Sequence, residues 1–70
     1  MIVEVFKTNV SEIETSERLI RQVLHQFPQS RVNFDMEDCD RILRVEADTV
    51  VPEKIIEILK SNGYLCEVLI

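Results

Sequence analysis

The stretch PEKIIEILKSNGYLCEVL, Pro52–Leu69, limits the possible folds more than any other part of this chain. Pro52 suits the first turn of a helix, where its missing N–H costs no hydrogen bond. Ile55, Ile56, Ile58 and Leu59 give a broad apolar face, and Lys60 falls in the last turn, where the helix dipole favours a cation. Asn62-Gly63 then stops the helix, because glycine takes the left-handed conformation just past a helix end without steric cost. Tyr64–Leu69 follows as a strand. A helix of this length is marginal in water on its own, so the rest of the chain must supply a sheet for it to lie on.

The preceding residues supply it. Ile2–Lys7 alternates and is rich in β-branched side chains, which predicts a strand. Ser11 and Glu14 have capping-box spacing and open a helix that runs to about Phe27. Its inner stripe is Ile13, Ser16, Ile20, Val23, Leu24 and Phe27, with Leu19 at the margin. Pro28 ends it, since the residue before a proline avoids helical geometry. Arg31–Met36 and Arg41–Ala47 alternate again and pair as a hairpin across the polar tip Glu37-Asp38-Cys39-Asp40.

The order β-α-β-β-α-β in 70 residues is one domain. Right-handed crossovers then leave one solution: an α+β, ferredoxin-like two-layer sandwich, with a four-stranded antiparallel sheet in the order 4-1-3-2 and both helices on one face.

A net charge of −5 argues against nucleic acid or an anionic membrane as partner. Arg18 and Arg21 each follow a glutamate by four positions (Glu14, Glu17), the pattern of a solvated helix face. No basic-then-apolar leader and no apolar run of membrane-spanning length occurs, and two widely separated cysteines form no disulfide framework, so a reducing cytoplasm is expected. Glycine is too scarce for a phosphate loop, and the single histidine, His25, has no Ser or Cys partner in a catalytic arrangement. Thirteen carboxylates do not make an acid–base site without a concave apolar pocket, which two thin layers rarely form. A non-enzyme is expected.

The last third, IIEILKSNGYLCEVL, resembles the heavy-metal-associated (HMA) domain family of small copper chaperones and metal-ATPase N-terminal domains, in its second helix, its Gly-Tyr and its last strand. The resemblance extends over nearly the whole chain and implies the same sandwich. It also implies a Cys-x-x-Cys thiolate pair where the first strand meets the first helix. The corresponding window, Thr8–Ser16 (TNVSEIETS), has no Cys, His or Met. Ile13 and Ser16 occupy the two ligand positions and offer no soft donor, so metal transfer does not carry over.

Two candidate sites remain. The first gathers Glu37, Asp38 and Asp40 around the Cys39 thiol at the hairpin tip, near Glu12 and Glu14, where a borderline cation, a single zinc or copper ion, would find donors. Neighbouring carboxylates disfavour the thiolate, so Cys39 is not expected to be a nucleophile. The bland account is a solvated acidic tip and no cofactor. The second candidate is the helix-free sheet face. With Val3, Val5, Val32, Phe34, Leu43, Val45, Cys66 and Val68 turned inward, the open face receives Ile2, Phe6, Ile42, Leu65 and Leu69 as one apolar patch among charges. That patch would pack on another protein or, as a homodimer, on a second copy. An interaction domain is thus the leading expectation and an altered metal site around Cys39 the alternative. A regulatory domain binding a small molecule between protomers is a third class that no residue favours.

Overall fold

A computed structural model describes residues 1–37 and 41–69. Its elements are β1 (Ile2–Thr8), α1 (Ile13–Gln26), β2 (Arg31–Asp35), β3 (Ile42–Ala47), α2 (Pro52–Ser61) and β4 (Cys66–Val68). The sheet is antiparallel in the order β2-β3-β1-β4, the ferredoxin-like arrangement.

The closing segment folds as its residues dictate. Pro52 takes the first position of α2, and Asn62 caps its end. Gly63 has φ +87°; its N–H donates to the Lys60 carbonyl at 2.9 Å, and the Tyr64 N–H reaches back to Leu59 at 3.0 Å. These two bonds form a Schellman motif, which needs a left-handed residue at the glycine position. β4 is shorter than the alternation predicts. Tyr64 and Leu65 stay outside it, since the Leu65 N–H bonds to Asn9 Oδ1 (2.9 Å) and not to a neighbouring strand.

α1 opens differently from expectation. Glu12 is its N-cap, no side chain caps it, and the Ser11–Glu14 box does not form. Its buried residues are Thr15, Ser16, Leu19 and Val23. Leu19, expected at the margin, is fully buried, whereas Ile13 is 69% exposed. A reciprocal amide pair explains the rotation: Gln22 and Asn62 exchange hydrogen bonds at 2.9 and 3.2 Å, turning the Gln22 side of α1 toward α2. The helix ends at Phe27, whose carbonyl accepts from both the Ser30 N–H (3.1 Å) and the Ser30 hydroxyl (2.6 Å).

The largest correction falls on β1. Its register pairs Phe6 with Leu43, Glu4 with Val45 and Ile2 with Ala47. Directly opposed residues share a face, so Ile2, Glu4, Phe6 and Thr8 point toward the helices, and Val3, Val5 and Lys7 point away. The expected faces of this strand are therefore exchanged. Burial supplies the reason. Enclosing Phe6 gains about 3 kcal/mol, as much as the two valines together, and Ile2 comes with it. The opposite choice would carry Lys7 inward; the observed face carries half-buried Glu4 instead. Thr8 comes inward with Phe6 but loses no hydrogen bond: its hydroxyl donates to the Arg41 carbonyl at 2.7 Å and accepts from the Val10 N–H at 3.3 Å. Phe6 then joins Val10, Leu19, Val23, Leu43, Val45, Ile55, Ile58, Leu59 and Cys66 in one core.

Candidate interaction surface

The sheet side away from the helices is set by strand register. β2 contributes Arg31, Asn33 and Asp35; β3 contributes Glu46, Arg44 and Ile42; β1 contributes Val3, Val5 and Lys7; β4 contributes Glu67. Leu69 continues the alternation of β4, and its N–H donates to the Val5 carbonyl at 2.8 Å, which holds it beside Val5.

Of the five residues expected to form the patch, Leu69 remains exposed on it, and Leu65 is exposed just outside the strand. Leu65 and Leu69 are 68% and 42% exposed. Phe6 does not belong to the face at all; it is fully buried in the core. Ile2 pairs with Ala47 on the helix side. Ile42 has the right orientation but is only 7% exposed between Lys7 and Asp35, its register neighbours, so it offers little area. Val3 (47% exposed) and half-buried Val5 take their places. The result is an apolar strip of Val3, Val5 and Leu69 along the β1–β4 side, with exposed Leu65 set apart from it beyond the Lys7–Glu67 pair. Alternation alone left the choice between the two faces of β1 open. The size difference between Phe6 and its neighbours was the signal that would have decided it.

The charges on this face balance. Lys7, Arg31 and Arg44 stand against Asp35, Glu46 and Glu67, with Arg31 and Glu46 4.0 Å apart. The whole chain carries −5, so the excess negative charge belongs to residues outside this face. An acidic molecule thus keeps one neutral face with an apolar strip.

At the loop end, the Thr8–Arg41 and Asn9–Leu65 hydrogen bonds draw the β1–α1 connection, the β2–β3 hairpin and the α2–β4 turn together, as the topology requires. Among the proposed metal ligands, Glu37 is exposed and its N–H donates to Asp35 Oδ1 at 3.2 Å. Asp38, Cys39 and Asp40 lie outside the described residues. Among the described residues no three His, Cys, Asp or Glu side chains converge as a metal site. In the window that carries thiolates in HMA domains, Ser16 is buried and its hydroxyl donates to the Ile13 carbonyl at 2.7 Å.

Cys66 lines a shallow recess of about 320 Å³ with Lys7, Thr8, Asn9, Lys60, Leu65 and Glu67. Burial, aided by the adjacent Glu67 carboxylate, pushes its thiol pKa up to about 12. It is a core side chain at the rim of a recess, in the neutral form across physiological pH. His25 is exposed in the last turn of α1. No helix among the described residues is long and apolar enough to cross a membrane.

Comparison with protein families, with curated proteins and with solved structures finds no match for this chain.

Proposed function

We propose that this chain is a small, non-catalytic cytoplasmic interaction domain that binds a protein partner through its open sheet face. On this reading it is a relative of the HMA domains that keeps the scaffold without the thiolate pair. One observation carries the proposal: Val3 and Leu69 on this face, and Leu65 beside it, stay 47%, 42% and 68% exposed, with none of the described residues covering them. With Val5 they present about 300 Å² of apolar surface, interrupted by the Lys7–Glu67 pair and comparable to the largest patch on an ordinary monomer, which is often functional. Balanced charges around the strip let a partner approach without the repulsion that the rest of the molecule would impose.

A photo-crosslinking amino acid at Leu65 tests this, with one at Glu57 on exposed α2 as comparison. The expected result is a discrete crosslinked partner, or a second copy, from position 65 and none from 57. Equal or absent capture from position 65 would overturn the reading. In parallel, native mass spectrometry of the reduced chain with zinc or cuprous ion is expected to give the metal-free mass. A tightly held cation, lost in Cys39→Ser, would replace the interaction reading with the metal site.

A further inference from the structure

The two edges of the sheet are protected unequally. β4 is only three residues long. β2, the opposite edge, is a regular five-residue strand, Arg31-Val32-Asn33-Phe34-Asp35, with no proline or glycine and with its two charges, Arg31 and Asp35, of opposite sign at its ends. An edge strand without proline or a bulge is a template for strand addition by any strand whose charges complement its own.

The sequence of β2 is chemically self-complementary. Turned antiparallel about Asn33, a second copy sets Arg31 opposite Asp35 of its mate, and Asp35 opposite Arg31. On the other face Val32 meets Phe34 twice. Opposite charges and aromatic–β-branched pairs are the favoured cross-strand combinations. The side chains are placed for it: Arg31, Asn33 and Asp35 are exposed, while Val32 and Phe34 pack on the core yet remain half-buried. One Asp35 oxygen accepts from the Glu37 N–H, and the Arg31 side chain is 83% exposed at the limit of reach of Glu46.

α1 supplies a second, independent observation. Its apolar residues outnumber those that the monomer buries. At about 100° per residue, Ile13, Ile20 and Leu24 lie roughly 100–140° around the helix from Leu19, on the side opposite Gln22. Gln22 faces α2, so these three lie on the flank away from α2, over the β2 side of the sheet. Ile13 is 69% exposed, and half-buried Ile20 and Leu24 stand apart from the core and its packed shell.

We infer that two copies of this chain associate by antiparallel pairing of their β2 strands about Asn33, forming one eight-stranded sheet in which the Ile20–Leu24 flanks of the two α1 helices pack together. In-register antiparallel pairing keeps both helical layers on the same side. With strands about 4.8 Å apart, the two α1 axes come to roughly the 8–10 Å helix-packing distance. The area buried is on the order of 1,000 Å², so the dimer is weak and reversible. This surface is distinct from the open face and does not depend on its function; pairing doubles that face and leaves it free.

Sedimentation velocity of the reduced full chain over a concentration series tests the inference, with circular dichroism to verify folding of each variant. Arg31→Asp and Asp35→Arg are each expected to weaken the dimer at least ~10-fold, because like charges then face each other twice. The double exchange R31D/D35R is expected to restore wild-type association, and Leu24→Glu to abolish it. Leu65→Ser/Leu69→Ser on the open face is expected to leave it unchanged. A chain that is monomeric up to about 1 mM overturns the inference, since that exceeds even weak specific affinities. So does a dimer indifferent to Arg31→Asp, or one lost with the Leu65 and Leu69 substitutions.

Discussion

Phe6→Ala separates the two possible faces of β1 more sharply than any other substitution. Phe6 is fully buried, opposite Leu43 on one side and Val68 on the other. Removing a buried phenylalanine ring typically costs about 3–5 kcal/mol, as lost transfer energy plus the cavity left behind. A 70-residue domain has on the order of 3.5–10 kcal/mol of stability in all, so Phe6→Ala removes a third of it or more. With a urea slope of about 1 kcal/mol/M, the midpoint falls by about 3 M or the chain fails to fold. Phe6→Leu keeps much of the volume and is expected to lose about 1–1.5 kcal/mol, which keeps the comparison measurable. Val5→Ala, on the open face, is expected to lose about 1 kcal/mol or less, since Val5 is only half-buried. Urea unfolding of the three variants, followed by circular dichroism at 25 °C, gives the ranking. If Val5→Ala proved costlier than Phe6→Ala, the register of β1 would be wrong and Val5, not Phe6, would face the core.

Two further outcomes follow from the backbone and the thiol. Gly63 has φ +87° with no atom within 4 Å of where a Cβ would stand, so Gly63→Ala meets backbone strain and no clash; a loss of about 1 kcal/mol is expected in urea unfolding, and a neutral result would count against the Schellman geometry. The Cys66 pKa is raised to about 12 by burial and by Glu67, so the folded state holds this proton more tightly than the unfolded chain does. The associated stability is complete below the unfolded thiol pKa, near 8.5, and is lost progressively as pH rises from there toward 12. In a Cys39→Ser background the urea midpoint should decline across that range, and Cys66→Ala should flatten its thiol-dependent part. At pH 8 native Cys66 should be alkylated at least ~100-fold more slowly than a peptide thiol, and rapid labelling would contradict its burial.

The sequence carried the element order and the sheet topology because its strongest local signals are unambiguous. Pro52, Asn62-Gly63 and Pro28 each act on their own stretch of backbone through sterics alone, and each ends or begins an element where expected. Which side of an element faces inward was harder to read. On β1, alternation is satisfied by either face, and only competition between one phenylalanine and two valines decides. On α1, apolar residues span more of the circumference than the monomer can cover, and a polar contact between Gln22 and Asn62, forty residues apart, selects the orientation. Leu65 and Leu69 are exposed as alternation foresaw, but the β1 residues turned to the open face are Val3 and Val5 and not Ile2 and Phe6. Nothing local to Thr8 or Asn9 foretold that their side chains would tie down the loops around them, because both partners, Arg41 and Leu65, are distant in sequence.

The position of β1 between β3 and β4 also has a consequence for biosynthesis. Thr8 lies opposite Cys66, so the central strand cannot complete its second ladder until nearly the last residues of the domain have left the ribosome. At about 5–20 residues per second, the roughly sixty intervening residues take about 3–12 s to synthesise. Throughout that interval Phe6 lacks its β4 neighbour, even after β3 has been made to pair with its other side, and the domain is incomplete. Completion of the fold therefore waits on synthesis, and its most vulnerable moment is on the ribosome.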